Sequence, residues 1–298
     1  MAKEYVILTD SSCDLSTKLR KENEIEYVRM GIVKNVGQPN SEEIYASLDW
    51  DLYTNKELND WQREGMLLKT TQVSYAEYES AFEKHIKDGK YIIYLATAAA
   101  LSGSYNFSLS VREDVLKKYP NANIICIDTC RAGICLGLVC LEAAKLKKDG
   151  KTIEEVANFV NENKLKFQQF GTVETLEYLK RAGRVKTVAA FFGNLFGVKP
   201  LITSSDLGEN SAVKKVKGRK ASINEVANML KKSVGDNLNQ TIYLVHADCI
   251  EEANFLKDIL LNDVKVREVV INPMGPIISV STGPGTLIVC CKGEKVVD

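Results

Sequence analysis

The sequence predicts an α/β protein of two domains. The N-terminal one is a Rossmann-like parallel sheet, and the C-terminal one an α/β unit with a mixed sheet. Three observations carry this. Short apolar β-prone runs (Tyr5–Thr9, Tyr91–Ala96, Ile124–Asp128) alternate with helix-length polar-apolar segments over the first half, the pattern of parallel strands joined by crossover helices. Capping-box pairs stand at Ser74/Glu77, Thr152/Glu155 and Ser222/Glu225, where a hydroxyl and an acid three residues apart open a helix. From about Gly171 onward the strands come closer together with short polar turns between them. The change of texture between Asn161 and Gly171 divides the chain into 1–165 and 166–298.

In order, Tyr5–Thr9 is a strand, Asp10–Leu15 a capping-rich turn and Ser16–Glu22 a helix. Ile25–Val33 is β-prone, and Ser41 with Glu42 and Glu43 opens a helix to about Tyr53. Asn55–Gly65 is polar and irregular. Thr70–Ser74 is a loop before the helix Tyr75–Lys87, and a helix over Phe107–Tyr119 follows the Tyr91–Ala96 strand. Asp128–Gly133 turns into the helix Ile134–Lys148, and Thr152 opens another to about Asn161. In the second half, strands are expected at Phe170–Val173, Val198–Thr203, Ala212–Val216, Thr241–His246, Val264–Val270 and Thr286–Lys292. Helices are expected at Thr175–Arg181, Ser222–Val234 and Glu251–Leu261, and the apolar Thr187–Phe196 has helical spacing. Pro273–Pro276 leads into the apolar Ile277–Val280, followed by a Ser281–Gly285 turn.

Composition excludes several functions. Thirty-nine basic residues balance 39 acidic ones, which argues against a broad nucleic-acid or anionic-membrane surface. No apolar run is long enough to span a bilayer, and Met1–Glu4 leads directly into a strand, so a cytoplasmic protein is expected. Eight cysteines without a Cys-x-x-Cys pair, and only two histidines, read as reduced core thiols and no metal site. Neither a P-loop, nor a dinucleotide fingerprint after the first strand, nor a Gly-x-Ser-x-Gly elbow is present. His85 reads as a solvated helix position, and His246 as either a strand-end hydrogen bonder or a ligand-facing group. Lys214–Lys220 reads as a solvated basic face.

The chemistry is concentrated at Ala98–Asn106, where a strand gives way to a helix. Unpaired N–H groups and the positive end of the helix dipole meet the hydroxyls of Ser102 and Ser104 there, and Gly103 allows a ligand close to the backbone. This suits a carboxylate or phosphate, although a plain helix cap is the other reading. Four such loops, Asp10–Asp14, Thr70–Ser74, Ala98–Ser104 and Asp128–Gly133, are expected to converge at the carboxyl edge of the sheet.

Thr9–Leu15, Thr70–Ser74, Leu101–Tyr105, Thr175–Arg184, Val198–Pro200, Gly218–Ala221, His246–Asp248 and Thr282–Gly285, in that order, resemble the motifs of the DegV family of bacterial lipid-binding proteins over essentially the whole chain. The resemblance implies a fatty acid between the two domains, its carboxylate held by hydroxyls at Thr70 and Ser102 and its tail in an apolar tunnel. Gly103, Ser104, Arg184, Ser281 and Thr282 complete the ligand-binding positions, with no cofactor and no catalytic residue. It also implies a carrier that presents the carboxylate to a separate ATP-binding fatty acid kinase subunit. Val73 replaces the family's proline, Ala98–Ala100 a Ser-Ser-Gly, and Ser281 a histidine before Thr-Gly-Pro-Gly. A contrasting reading is an enzyme acting on a small carboxylate or phosphate, with Ser102 as nucleophile.

Overall fold

The computed structural model describes residues 3–186 and 197–296. The first half runs β1 (Tyr5–Asp10), α1 (Thr17–Glu22), β2 (Ile25–Val28), β3 (Gly31–Lys34), β4 (Glu42–Tyr45), α2 (Asn55–Arg63), β5 (Lys69–Thr71), α3 (Tyr75–Lys87), β6 (Tyr91–Ala96), α4 (Ser104–Lys118), β7 (Ile124–Asp128), α5 (Ile134–Lys148) and α6 (Ile153–Asn163). The second runs β8 (Phe167–Thr172), α7 (Glu177–Ala182), β9 (Val198–Ser204), β10 (Asn210–Lys217), α8 (Arg219–Val234), β11 (Thr241–His246), α9 (Ile250–Ile259), β12 (Glu268–Pro273), α10 (Pro276–Thr282) and β13 (Leu287–Lys292).

Strands β2-β1-β6-β7 form a wholly parallel sheet. All six residues of β1 are buried, as expected of a central strand covered on both faces. The second sheet has the order β10-β9-β8-β13-β11-β12. Only β11 and β12 pair parallel in it, so it is mixed. A small antiparallel sheet, β4-β3-β5, projects from the first.

Helix α5 lies between the two main sheets. Ten of its fifteen residues are buried, because it packs against β1 and β6 on one side and β8, β11 and β13 on the other. A helix apolar on all sides belongs inside a core. One apolar cluster accordingly runs from Ile7 and Leu95 through Leu136 and Cys140 to Phe167, Val245 and Cys290.

Several expectations are corrected. Ser41–Tyr53 is not a helix: Glu42–Tyr45 pairs with β3. Asn55–Arg63, expected to be irregular, is helical, opened by a Thr54/Glu57 capping box. Its buried Asn59 and Gln62 meet Ser279 of α10, and the Asn55 side chain donates to the Met274 carbonyl at 3.0 Å. Ile277–Val280 belongs to a helix that also takes in Ser281 and Thr282, so the turn begins only at Gly283. Ser222 does not cap α8, which starts at Arg219; its hydroxyl donates to the Arg219 carbonyl. Val264 ends a π-helical turn, and β12 begins at Glu268. The β-prone run from Ile25 to Val33 is split between two sheets. The helical spacing noted for Thr187–Phe196 lies outside the described residues.

Candidate functional site

A cavity of about 180 Å³ lies between the loops at the carboxyl edge of the parallel sheet and the face of the mixed sheet. Each of the four segments singled out in the sequence brings residues to it: Ser12; Thr70 and Thr71, which lie in strand β5 and not in the expected loop, with Gln72; Leu101, Ser102 and Gly103; Ala132 and Gly133. The C-terminal half closes it with Leu179, Arg184, Ile202, Ile288 and the α10 residues Ile277, Ile278, Ser281 and Thr282. The N-terminal half therefore brings most of the hydroxyls, and the C-terminal half brings branched apolar side chains together with Arg184, Ser281 and Thr282.

Ser102 and Gly103 stand at the N-terminus of α4, whose cap residue Gly103 makes no side-chain cap bond. The Ser104 N–H donates to Ser102 Oγ at 3.2 Å, and the two hydroxyls lie 2.9 Å apart. Ser104 Oγ also accepts the Val73 N–H at 3.4 Å. If the Ser104 proton is directed to Ser102, the Ser102 hydroxyl keeps its own proton for a ligand. Ser104 is fully buried and does not line the cavity; it sits behind Ser102. Thr70 is placed by pairing of β5 with β3, opposite Ile32. Gln72 lies against Gly103, where a β-carbon would collide with its amide oxygen.

Ser281 and Thr282 both line the cavity, but their hydroxyls donate to the Ile277 and Ile278 carbonyls one turn back, at 3.0 and 2.8 Å. In that rotamer they offer a ligand lone pairs rather than protons. Arg184 borders the cavity beside Asn210, whose amide bonds the Arg184 carbonyl at 3.0 Å and accepts from Gln169 at 3.2 Å. Six of the seven predicted positions, all but Ser104, thus line one cavity.

Behind the hydroxyls is a buried polar network. Asp10 accepts from the Ser12 N–H and hydroxyl, the Thr97 N–H and the Tyr94 hydroxyl. Tyr94 contacts Tyr78, which donates to the Ser104 carbonyl at 2.9 Å. Burial raises the Asp10 carboxyl above the usual carboxylate range, and these four donors oppose the shift. Asp14, raised further by burial, accepts the Gly275 N–H at 3.0 Å and so ties the first loop to the start of α10.

Other predicted features lie elsewhere. None of Ala98–Ala100 lines the cavity. Ala98 is fully buried against the β9–β10 turn, where a β-carbon on Gly208 would approach Ala98 Cβ to 2.6 Å. A larger residue at Ala98 would displace that turn. His246 Nδ1 accepts the Cys249 N–H at 3.1 Å, and burial lowers its pKa. This is strand-end bonding, and His246 is not among the cavity residues. His85 is buried, not solvated, with Nε2 3.4 Å from Glu26. Arg219, within the basic run, is mostly buried and paired with Glu252, and it is not among the residues lining the cavity.

Sequence reasoning missed Arg131, which is 1% exposed and binds only carbonyls, and the α2–α10 contact. No local signal marks either, because apart from the Cys130 carbonyl their partners are remote in sequence.

Comparison with known proteins agrees with this architecture. Residues 4–292 match the family model described as "Uncharacterised protein, DegV family COG1307". A DegV domain-containing protein of Clostridium perfringens is 39% identical over 292 residues, covering 98% of both chains. Among solved structures, a stearic-acid-binding protein of Eubacterium ventriosum is 25% identical, with a TM-score of 0.84 over 97% of this chain and 98% of that one. A DegV family protein from Thermus thermophilus, described for its fatty acid binding, is 24% identical, with a TM-score of 0.85 over 98% of this chain and 100% of that one. With a family model spanning nearly its whole length and a relative this similar end to end, the chain belongs to the DegV family.

Proposed function

We propose that this protein is a carrier that binds a long-chain fatty acid in the cleft between its two halves, divided after residue 165. The observation that supports this best is that one cavity joins hydroxyls and a helix N-terminus from the N-terminal half to the branched apolar side chains Leu179, Ile202, Ile277, Ile278 and Ile288 of the C-terminal half. An amphiphile with one small anionic end needs a few fixed donors and a long apolar lining. Thr70, Ser102 and the Gly103 backbone hold the carboxylate, Ser104 orients Ser102, Ser281 and Thr282 border the head from α10, and Arg184 supplies positive charge. The stearic acid bound by the Eubacterium ventriosum protein supports the same ligand class here.

The carrier needs no cofactor and performs no chemistry of its own. It presents the carboxylate to a separate ATP-binding kinase subunit. Against Ser102 as a nucleophile, no histidine, lysine or carboxylate is among the described residues lining the cavity to serve as its base. Native mass spectrometry of protein purified from cells is expected to show an acyl chain that solvent extraction releases. A clean apo mass with no extractable lipid would overturn the assignment.

A further inference from the structure

The cavity shares part of its wall with a second recess, of about 250 Å³, lined by Arg29, Gly31, Glu43, Tyr45 and Ser74 among others. Arg29, Glu43, Tyr45 and Ser74 are exposed, so this recess opens to solvent. Its charged residues are already engaged: Arg29 pairs with Glu77 at 2.6 Å and stacks 4.0 Å over Tyr45, and Glu43 accepts the Thr71 hydroxyl at 2.7 Å. The recess therefore suits a passage better than a second anion site. Thr71 and Gln72 line both spaces.

These two shared residues are held very differently. Thr71 pairs with Gly31 across the β3–β5 ladder. Its bond to Glu43 passes over Gly31, where a β-carbon would lie 2.4 Å from Thr71 Oγ1 and 2.3 Å from Glu43 Oε1. Thr71 is a fixed part of the wall. Gln72 has a fixed backbone and a free side chain. Thr71 in β5 anchors it on one side, and on the other the fully buried Val73, whose N–H donates to Ser104 Oγ at 3.4 Å. Gln72 itself is exposed, and among the described residues no hydrogen bond holds its amide. The amide oxygen lies over Gly103, so close that a β-carbon there would be 2.3 Å from it. Only the missing Gly103 side chain lets Gln72 lie across the start of α4, beside Ser102. An exposed side chain of this kind changes rotamer within nanoseconds.

We propose that Gln72 is a gate between the head-group end of the cavity and the Arg29–Glu43 recess. Rotation of its side chain away from Gly103 joins the two spaces and lets a carboxylate pass to and from solvent. The gate rests on the fatty-acid reading above. It gives the shared wall one pinned residue and one movable one, so the passage opens without disturbing β5 or the start of α4.

The test uses full-length protein stripped of lipid, mixed in a stopped-flow instrument with the fluorescent fatty acid cis-parinaric acid, which palmitate then displaces. A gate slows entry and exit alike. Gln72→Ala should therefore raise the association and dissociation rate constants together, each about threefold or more, and leave their ratio unchanged to within about twofold. Truncation of an exposed, unbonded side chain leaves the fold in place. Gln72→Glu keeps the shape but sets a negative charge in the path of the carboxylate. Its association should slow about tenfold at low ionic strength and recover as salt is raised. A faster dissociation alone in the alanine variant would make Gln72 a ligand contact and overturn the gate. Unchanged rates in that variant, or wild-type association in the glutamate variant, would overturn it as well. Failure of the wild type to bind either acid instead removes the fatty-acid reading, and the gate with it.

Discussion

Gly171 is predicted to be intolerant of even one added methyl group. It lies on β8 directly opposite Ile202 of β9 and Ile288 of β13. Residues paired across strands point to the same face, and both isoleucines line the cavity. Both lean over the glycine: a β-carbon there would lie 2.9 Å from Ile288 Cγ1, 3.2 Å from Ile202 Cγ1 and 2.9 Å from the Leu287 carbonyl oxygen. The carbonyl belongs to the sheet and cannot swing aside, so the strand must shift and the isoleucines must move towards the cavity. Overpacking of this kind costs about 1–3 kcal/mol, and the lower entropy of the unfolded alanine chain returns about 0.4–1 kcal/mol. Gly171→Ala should therefore destabilise by about 1–2 kcal/mol, read as a lower urea midpoint at unchanged slope. Ile288→Ala removes the nearest side-chain atom, so the double variant should recover a coupling energy of at least about 0.5 kcal/mol. Strict additivity, or a Gly171→Ala protein as stable as the wild type, would refute the reasoning. The acyl chains retained by the variant should also be shorter.

Ser102→Ala and Thr70→Ala should each weaken fatty acid binding by about 1 kcal/mol in calorimetric titrations; unchanged affinity in both would remove them from the head-group site. Ser104→Ala should instead lower stability, because the buried Val73 N–H loses its hydroxyl acceptor, with a smaller effect on affinity. Glu26 is held down to about 2, first by the His85 side chain 3.4 Å away and then, against its burial, by Lys84. Because its folded pKa is depressed, its contribution is present above the ordinary value of 4.5 and is lost as pH falls towards 2. Glu26→Gln should flatten that part of the urea-midpoint profile, and a profile identical to the wild type would rule the pair out.

Much of the fold follows from local signals. The Ser74 and Thr152 caps open α3 and α6 as expected, and the buried runs of β1 and β6 are the central pair of the parallel sheet. What could not be read locally depends on partners far along the chain. Asn55, Asn59 and Gln62 look like loop residues until Met274 and the α10 residue Ser279, more than 200 residues later, supply their hydrogen-bond partners. Glu42–Tyr45 carries acids suited to a helix start, but β3 offers it a strand partner. The site was more legible than its support. Ser102 and Gly103 announce themselves at a strand-helix junction, whereas Arg131 is one basic residue in a turn until Leu165, Phe167 and Ser205 surround it.

The placement of α5 bears on how a ligand comes and goes. Because this helix is buried against both main sheets, parting the two halves like a clamshell would expose its apolar surface to water, at about 25 cal/mol for every Å² uncovered. Loosening a few surface loops is far cheaper. Exchange should thus proceed through local breathing at the cleft, and the residence time of a guest becomes a measure of loop stability, separable from how tightly the closed cavity holds it.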